Sequence, residues 1–407
     1  MGLTGIPAAE RTHIGFFGKR NAGKSSLINA VTGQDLSIVS DVKGTTTDPV
    51  LKTMEILPLG PVVIIDTPGI DDEGELGALR VEKSFDMLRK TDIAVLVAEA
   101  KEGLSPEDEK LLEEIKKRKL PYIICFSKCD EYMGEAGENE IYTSAKNNVN
   151  IYELKEMIAG KIRHSSEKRI VSDLINRGDI VILVIPIDES APKGRLILPQ
   201  QLTIRDILDK NASCICLQPE ELADTLNALN KKPALVITDS QAFGQVSKTV
   251  PEDIPLTSFS ILMLRYKGEF EDAFNGVKTL DSLQDGDKIL ISEGCTHHRQ
   301  CNDIGTVKLP AWIEEYTGKK LIYEFSSGTG FPKDLSPYKM VIHCGGCMLN
   351  AREMEYRIDT VKKAGIPVTN YGVAIAHMNG ILGRSLEVIP EISEMYINGQ
   401  PQPDRHT

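Results

Sequence analysis

The sequence predicts a three-domain α/β protein in which short apolar strands alternate with amphipathic helices. Its 407 residues suggest two or three domains, at roughly 150 residues per domain. Hydrophobic residues make up 41% and charged residues 26%, a globular balance that excludes collagen-like, disordered and disulfide-stapled chains. The alternation of apolar runs with helix-length amphipathic segments is typical of a mostly parallel sheet flanked by helices.

The first predicted domain covers residues 1–168 and ends in a polar linker. Its apolar runs predict a mixed, mostly parallel sheet with flanking helices. The predicted strands are Ile14–Phe17, Val50–Leu57, Val62–Asp66, Ile93–Ala98 and Tyr122–Ser127. The predicted helices are Lys24–Thr32, Pro106–Lys119 and Ile151–Arg163.

The second predicted domain covers residues 172–265 and carries no nucleophile, ligand cluster or phosphate loop. We therefore assign it an assembly role by elimination. Cys214 and Cys216 alternate with Ile215 in a predicted strand, and we expect both to be buried core thiols. The predicted strands are Ile180–Ile187, Ser213–Leu217 and Ala234–Thr238, with helices near Ile204–Asp209 and Pro219–Leu229.

The third predicted domain covers residues 266–400 and again alternates strands with helices. The predicted strands are Lys288–Ser292, Leu321–Phe325 and Lys339–His343. The predicted helices are Val307–Tyr316, Asn350–Lys363 and Val373–Asn379.

The net charge and the hydropathy of the chain argue against some kinds of partner. The net charge is −12 and aromatic residues make up only 5% of the chain, which argues against nucleic-acid binding. The longest apolar runs fall far short of the roughly 20 residues that span a bilayer, and the start of the chain lacks a secretory signal pattern. We expect a cytoplasmic protein without a membrane partner, whose eight cysteines are thiols or metal ligands.

The strongest single motif is Gly18–Ser25, read GKRNAGKS, which matches G-x-x-x-x-G-K-[ST] between a predicted strand and a predicted helix. Backbone N–H groups of such a loop cradle phosphates, a lysine reaches the β- and γ-phosphates, and a serine hydroxyl ligates Mg²⁺. The predicted nucleotide-binding residues of this loop are Gly18, Asn21, Ala22, Gly23, Lys24, Ser25 and Ser26.

Companion motifs of the phosphate loop follow downstream in the sequence. Asp66 ends a predicted strand in the motif D-T-P-G, where it holds the Mg²⁺ shell while Gly69 senses the γ-phosphate. Thr46 lies in the loop between, where a threonine caps Mg²⁺ in the triphosphate state. With the phosphate loop and the segments Ser127–Asp130 and Ser144–Lys146, the set resembles the G1 to G5 motifs of translation-factor-related GTPases over about 160 residues.

That resemblance implies how a guanine base is read. Asp130 would pair with the N1 and N2 hydrogens, Lys128 would lay its stem on the base, and the Ala145 N–H would face O6. Ser144 and Lys146 belong to the same loop. The usual N-K-x-D begins here with Ser127, a departure that makes guanine affinity modest while Asp130 keeps guanine favoured over adenine.

Two residues refine the expected chemistry of hydrolysis, for which the predicted catalytic residues are Asn21, Lys24, Thr46 and Gly69. Ile70 stands where Ras-like enzymes carry a water-orienting glutamine, which predicts slow turnover. Asn21 resembles the asparagine with which the TrmE group binds a potassium ion, and this resemblance implies K⁺-stimulated hydrolysis. The alternative is that Asn21 only shapes the loop.

A second constellation lies in the third domain: Cys295 and His297 form C-x-H, and His343, Cys344 and Cys347 form H-C-x-x-C. Each set directly follows a predicted strand. If these strands are parallel neighbours, both sets emerge at the carboxyl end of one sheet, where α/β sheets bind ligands. Thiols with a histidine suit an iron–sulfur cluster or zinc. Reduced thiols without metal are the third alternative.

The combination of this pattern with a GTPase domain resembles one family, the [FeFe]-hydrogenase maturation GTPase HydF, over the whole chain. The resemblance implies a [4Fe–4S] cluster on Cys295, Cys344 and Cys347, with His297 or His343 as a labile fourth ligand or a neighbour. It also implies a homodimer formed by the middle domain.

The same resemblance implies a scaffold or carrier role. The protein would hold a di-iron precursor assembled by two radical-SAM maturases and deliver it to the apo-hydrogenase. Two alternatives stay open. One is a TrmE- or Era-like GTPase of tRNA modification or ribosome assembly with a structural zinc site, and the other is a metallochaperone for an unrelated enzyme.

Overall fold

The structure is a computed structural model that describes residues 10–33, 50–57, 59–70, 84–162, 169–187, 196–267, 270–294, 303–328, 330–346 and 349–389. The chain divides into two compact units, Met1–Glu167 and Lys168–Thr407. Among the described residues, no helix combines the length and the hydropathy needed to cross a bilayer.

The first unit is built on a six-stranded sheet with the strand order β2-β3-β1-β4-β5-β6. Strand β2 runs antiparallel to β3 and the other pairs are parallel, which confirms the predicted mixed sheet. The strands are β1 Thr12–Phe17, β2 Val50–Ile56, β3 Gly60–Asp66, β4 Ile93–Glu99, β5 Tyr122–Ser127 and β6 Glu140–Tyr142. The helices are α1 Lys24–Thr32, α2 Pro106–Lys117 and α3 Ile151–Ile162.

Local sequence accounts for these elements. Strand β4, read IAVLVAE, lies in the middle of the sheet and is buried from Ile93 to Ala98, as expected for a parallel strand covered on both faces. Helix α2 begins with a capping box, in which the Ser105 side chain accepts from the Asp108 N–H and Asp108 accepts from the Ser105 N–H. Strand β6 was not predicted, because three residues show no readable periodicity.

The second unit contains two four-stranded parallel sheets, ordered β10-β9-β7-β8 and β12-β11-β13-β14. The strands of the first are β7 Ile180–Val184, β8 Ser213–Leu217, β9 Leu235–Thr238 and β10 Leu256–Ser258. Those of the second are β11 Lys288–Glu293, β12 Ile322–Ser327, β13 Met340–His343 and β14 Val368–Asn370. The parallel α/β architecture predicted for the second and third domains is confirmed.

Helices flank both sheets of this unit. Helix α7 packs against both sheets. Its residues Leu262 and Met263 belong to the core of the second predicted domain, and Ile261 and Leu264 belong to the core of the third. The helices are α4 Leu198–Asp209, α5 Leu222–Ala228, α6 Phe243–Thr249, α7 Phe259–Lys267, α8 Phe270–Val277, α9 Leu309–Thr317, α10 Ala351–Lys363, α11 Tyr371–Met378 and α12 Leu382–Leu386. Helices α6, α7, α8 and α12 were not predicted.

One sequence prediction for this unit is wrong. Cys214 and Cys216 were expected in the core, but β8 is an edge strand, so Cys216 is exposed and Cys214 is only half-buried. The residue pattern that predicts a strand carries no information about which strand lies at the edge of a sheet. Burial here was decided by sheet order.

Candidate functional site

The phosphate-loop sequence connects β1 to α1, as the motif requires. Gly18 has φ +135°, and a Cβ at this position would lie 2.1 Å from the carbonyl oxygen of Val97 in β4. Only glycine fits so close to a neighbouring strand. Gly23 stands at the N-cap of α1, which places the loop directly before the helix N-terminus.

Lys24 is buried at the start of α1, and its ammonium group is turned back toward the loop. Its Nζ donates to the carbonyl oxygens of Gly18 at 2.8 Å and Lys19 at 2.6 Å. The neighbouring Ser25 Oγ donates to Asp66 Oδ2 at 3.5 Å. The parallel register of β1 with β3 pairs Phe16 with Asp66 and so brings the carboxylate to the loop. A hydroxyl and a carboxylate thus converge where the sequence predicts Mg²⁺ ligands.

The predicted base-recognition loop follows β5 and is tied to the phosphate loop. Ser127 Oγ donates to the carbonyl oxygen of Ala22 at 2.6 Å. Lys128 has φ +56°, and its Nζ forms an ion pair with Glu99 Oε2 at 2.6 Å. Glu99 ends β4, beside β5, so sheet pairing supplies this partner. The lysine predicted to support the base is therefore held by a carboxylate that sequence reasoning missed.

The two segments predicted to contact the edge of the base lie together. Ser144 Oγ donates to Asp130 Oδ1 at 2.5 Å, and this hydrogen bond holds the pKa of Asp130 below its ordinary value, with a smaller contribution from the charge of Lys146. Ala145 follows Ser144 directly and is half-buried. Asp130 therefore stays an ionised acceptor, the state needed to bind two N–H groups.

The residues predicted to act on the γ-phosphate are only partly described. Asn21 is exposed in the loop with φ +61°, and Gly69 lies three residues after Asp66. Ile70 is buried among Phe17, Leu96 and other core residues, so its side chain cannot orient a water. Thr46 lies outside the described residues.

The strands before the two cysteine motifs are parallel neighbours, as predicted. Strand β11 pairs with β13 and Ser292 lies opposite His343. The Cys344 N–H continues this pairing by donating to the Ser292 carbonyl oxygen at 2.9 Å. Residue Gly294, which directly precedes Cys295, therefore lies beside Cys344 at the carboxyl end of the sheet.

The thiol of Cys344 has an environment suited to a metal-binding thiolate. Its Sγ accepts from the backbone N–H of Gly294 at 3.1 Å and of Gly346 at 3.3 Å. Such bonds stabilise the anionic sulfur that ligates metals. Gly346 has φ +59°, and a Cβ there would lie 2.5 Å from Met354 Sδ, so this turn requires glycine. The described part of the donor set fits a thiolate-bound metal or cluster.

Three of the predicted metal-site residues, Cys295, His297 and Cys347, lie outside the described residues. In the part of the chain that the structure describes, no group of three or more His, Cys, Asp and Glu side chains is arranged to hold a metal ion. The proximity of Cys295, His297 and Cys347 to Cys344 therefore stays a prediction.

His343 is described, and both of its ring nitrogens have protein partners. Its Nδ1 lies 2.7 Å from the Cys344 carbonyl oxygen and its Nε2 lies 3.1 Å from Arg357 Nη1. The side chain is buried, and burial, together with the charge of Arg357, lowers the pKa of His343 to about 3. Both nitrogens of this neutral imidazole are therefore occupied by hydrogen bonds within the protein.

Two further side chains near Cys344 were missed by sequence reasoning. Lys267, at the end of α7, donates to the carbonyl oxygens of Gly346 and of Leu349, the latter at 3.0 Å. Arg357 lies on α10, four residues after Glu353, and their i,i+4 spacing was the one available signal. That spacing is usually found on a solvated helix face, whereas this pair is fully buried.

Three family models match the chain in succession. Residues 13–128 match a model described as 50S ribosome-binding GTPase, which makes the first unit a GTPase domain. Residues 170–268 match the hydrogen maturase F dimerization domain, and residues 271–388 match the hydrogen maturase F tetramerization domain.

Curated relatives match less than half of the chain. GTPase Der of Kosmotoga olearia is 31% identical over 216 residues, which are 47% of this chain and 48% of the relative. The tRNA modification GTPase MnmE of Chromobacterium violaceum is 38% identical over 128 residues, 31% of this chain and 28% of the relative. The chain thus spans about half or less of the length of these relatives.

Among solved structures, Era of Aquifex aeolicus bound to GDP and aluminium fluoride aligns with a TM-score of 0.34 at 22% identity, over 51% of this chain and 92% of that one.

The two hydrogen maturase F matches follow the GTPase match in the sequence, and together they cover more than half of the chain. The protein therefore belongs to the family of HydF-type hydrogenase maturases, with a TrmE/Era-like GTPase domain.

Proposed function

We propose that this protein is a GTP-hydrolysing scaffold that binds a [4Fe–4S] cluster and a di-iron precursor and delivers the precursor to apo-[FeFe]-hydrogenase. The observation that carries the metal half of the proposal is the pairing of β11 with β13. Through this pairing, the Cys344 thiol accepts a hydrogen bond from the N–H of Gly294, one residue before Cys295. The family matches support the hydrogenase-maturation context.

The GTPase domain binds GTP with Mg²⁺. Lys24 contacts the β- and γ-phosphates, Ser25 and Asp66 hold Mg²⁺, and Asp130 accepts from the guanine edge. Hydrolysis is slow because the buried Ile70 replaces a water-orienting side chain. Asn21 would hold a potassium ion, which would supply positive charge beside the phosphates, while Thr46 would contact Mg²⁺ and Gly69 the γ-phosphate.

The cluster is held by Cys295, Cys344 and Cys347, with His297 as the candidate for an exchangeable fourth ligand. When bound, the cluster would supply a thiolate-anchored iron site, and the di-iron precursor would be held beside it. Residues of the chain present the Cys344 sulfur between two backbone N–H groups. A carrier requires a site that releases its cargo, so one exchangeable ligand position suits the role.

Self-association is part of the proposal, because the matched family domains are a dimerization and a tetramerization domain. The middle domain forms the homodimer. Two radical-SAM maturases that assemble the precursor and the apo-hydrogenase that receives it are the proposed partners. GTP biases domain arrangement or partner release and does not drive the metal chemistry.

The decisive experiment is anaerobic reconstitution of the full chain with iron and sulfide, followed by iron and zinc analysis and EPR after reduction. We expect a reduced [4Fe–4S] signal that disappears in the Cys295→Ala, Cys344→Ala and Cys347→Ala variants. The exposed Cys216→Ala is the matched control and should retain the signal. A colourless protein with one tightly held zinc per chain would contradict the proposal.

The second candidate function is a GTPase that acts on tRNA or the ribosome. The 38% identity to an MnmE tRNA modification GTPase over 128 residues favours it. Tightly bound zinc, together with RNA that copurifies through a salt wash, would support this function. The net charge of −12 argues against a surface that binds the phosphate backbone of RNA.

A further inference from the structure

Arg357 is a fully buried arginine that contacts the carboxyl ends of three strands, β11, β12 and β13, of the second sheet. Its Nη1 donates to Ser292 Oγ at 3.4 Å and to His343 Nε2 at 3.1 Å, and its Nη2 donates to the Gly328 carbonyl oxygen. These acceptors belong to β11, β13 and the end of β12, respectively. One guanidinium group thus joins the strand ends from which both predicted cysteine motifs emerge.

The charge of Arg357 is balanced inside the protein. Its Nε donates to Glu353 Oε1 at 3.1 Å, and both side chains are no more than 2% exposed. The guanidinium carbon also lies over the Phe331 ring, 5.2 Å from the ring centroid. Burying an ion pair carries a desolvation cost that well-packed apolar side chains would avoid. Stability of the fold alone therefore does not explain this pair.

Arg357 determines which proton the His343 ring carries. A guanidinium can only donate hydrogen bonds, so His343 Nε2 must be the acceptor and Nδ1 must carry the hydrogen. That Nδ1–H donates to the Cys344 carbonyl oxygen at 2.7 Å. The Cys344 N–H is bonded to the Ser292 carbonyl oxygen at 2.9 Å. Both peptide groups that flank the Cys344 Cα are therefore fixed, and with them the direction of its Cα–Cβ bond, from which the sulfur accepts the N–H groups of Gly294 and Gly346.

We propose that Arg357 is a positioning residue for the metal site, acting through His343 on the thiolate of Cys344. The inference rests on the proposed metal-binding function. It assigns His343 to the hydrogen-bonded support of a cysteine ligand and removes it from the set of iron ligands. Outer-shell partners of this kind commonly change metal affinity about 10- to 100-fold when they are replaced.

The test uses Co²⁺ as a probe of the thiolate site in the metal-free, full-length protein, read from the thiolate-to-cobalt charge-transfer band. The first variant is the double replacement Arg357→Met with Glu353→Leu, which leaves no unpaired buried charge. The second is His343→Phe, which keeps the ion pair. We expect both to weaken Co²⁺ binding by about 10- to 100-fold, with the melting temperature of the metal-free protein kept within a few degrees. The control is Arg352→Met, whose partner Glu355 lies on the exposed face of the same helix.

The outcomes separate the inference from the function on which it rests. Absence of the charge-transfer band in the wild-type protein would remove the proposed metal site. A wild-type band with unchanged affinity in His343→Phe and in the double variant would overturn the role of Arg357 alone. If the double variant fails to fold, His343→Phe decides the question, because it leaves the buried ion pair in place.

Discussion

Ser127 Oγ donates a 2.6 Å hydrogen bond to the carbonyl oxygen of Ala22, across 105 residues of chain. The bond joins the loop that follows β5 to the phosphate loop that follows β1. Ser127 stands where the N-K-x-D motif has asparagine, and its shorter side chain forms this bond. The nucleotide's base and its phosphates are therefore expected to be coupled through one buried serine.

Replacing this serine is expected to weaken nucleotide binding. Ser127→Ala removes one buried hydrogen bond, worth about 1 kcal/mol, and should raise the Kd for GDP about fivefold. Fluorescent-GDP binding measures the change. Ser213→Ala, at an exposed serine of β8, is the control and should bind like the wild-type protein. Equal affinity of Ser127→Ala and wild type would show that the bond does not support the loop.

Potassium dependence of hydrolysis tests the proposed role of Asn21. We expect GTP turnover in KCl to exceed that in NaCl of equal ionic strength by about tenfold or more, because the ion compensates transition-state charge. Asn21→Gly keeps the left-handed backbone accessible and removes the side chain, and it should abolish the difference. The control is Asn148→Gly, an exposed asparagine with φ +53°. A K⁺ effect that persists in Asn21→Gly would assign Asn21 only a loop-shaping role.

Lys267, at the end of α7, contacts the backbone beside the C-x-x-C motif and should support metal binding there. Its ammonium donates to the carbonyl oxygen of Gly346, within the motif, and to that of Leu349, two residues after it. Lys267→Met should therefore lower iron retention in the presence of a chelator about tenfold, the size typical of a lost outer-shell contact. GTP hydrolysis should not change. Lys248→Met, at an exposed lysine near the end of α6, controls for the loss of charge. Equal retention in both variants would contradict the prediction.

The acid stability of the second unit should depend on Asp173. The Arg265 guanidinium donates to both carboxylate oxygens and holds the pKa of Asp173 below its ordinary value. A lowered folded-state pKa adds stability that is present above the unfolded value of about 4 and is lost as pH falls through the folded value.

Asp173→Asn should therefore lower Tm by about 1–3 °C at pH 7, and the difference from wild type should shrink below about pH 4. Calorimetric melting curves across this range measure it. Asp253→Asn, which breaks an exposed pair with Lys232, should leave Tm unchanged. A Tm difference that does not vary with pH would assign the effect of Asp173→Asn to packing.

The sequence alone determined the fold class, the phosphate loop and the strands that precede each cysteine motif. These features depend on local patterns: apolar runs of strand length, a glycine-rich turn and cysteine spacing. Short elements such as β6 and β14 escaped prediction, because three residues carry no periodic signal. The exposure of Cys216 was not predicted either, because the residues of one strand do not determine its position in the sheet.

Tertiary structure decided which side chains meet. Glu99 reaches Lys128 because β4 pairs with β5, and Lys267 reaches the C-x-x-C turn because α7 packs against the next sheet. Arg357 has the i,i+4 spacing of a surface ion pair, yet strand pairing and helix packing bury it against His343. Local pattern specifies elements, because backbone conformation depends on near neighbours. Partners distant in the chain depend on how those elements pack, which no single segment encodes.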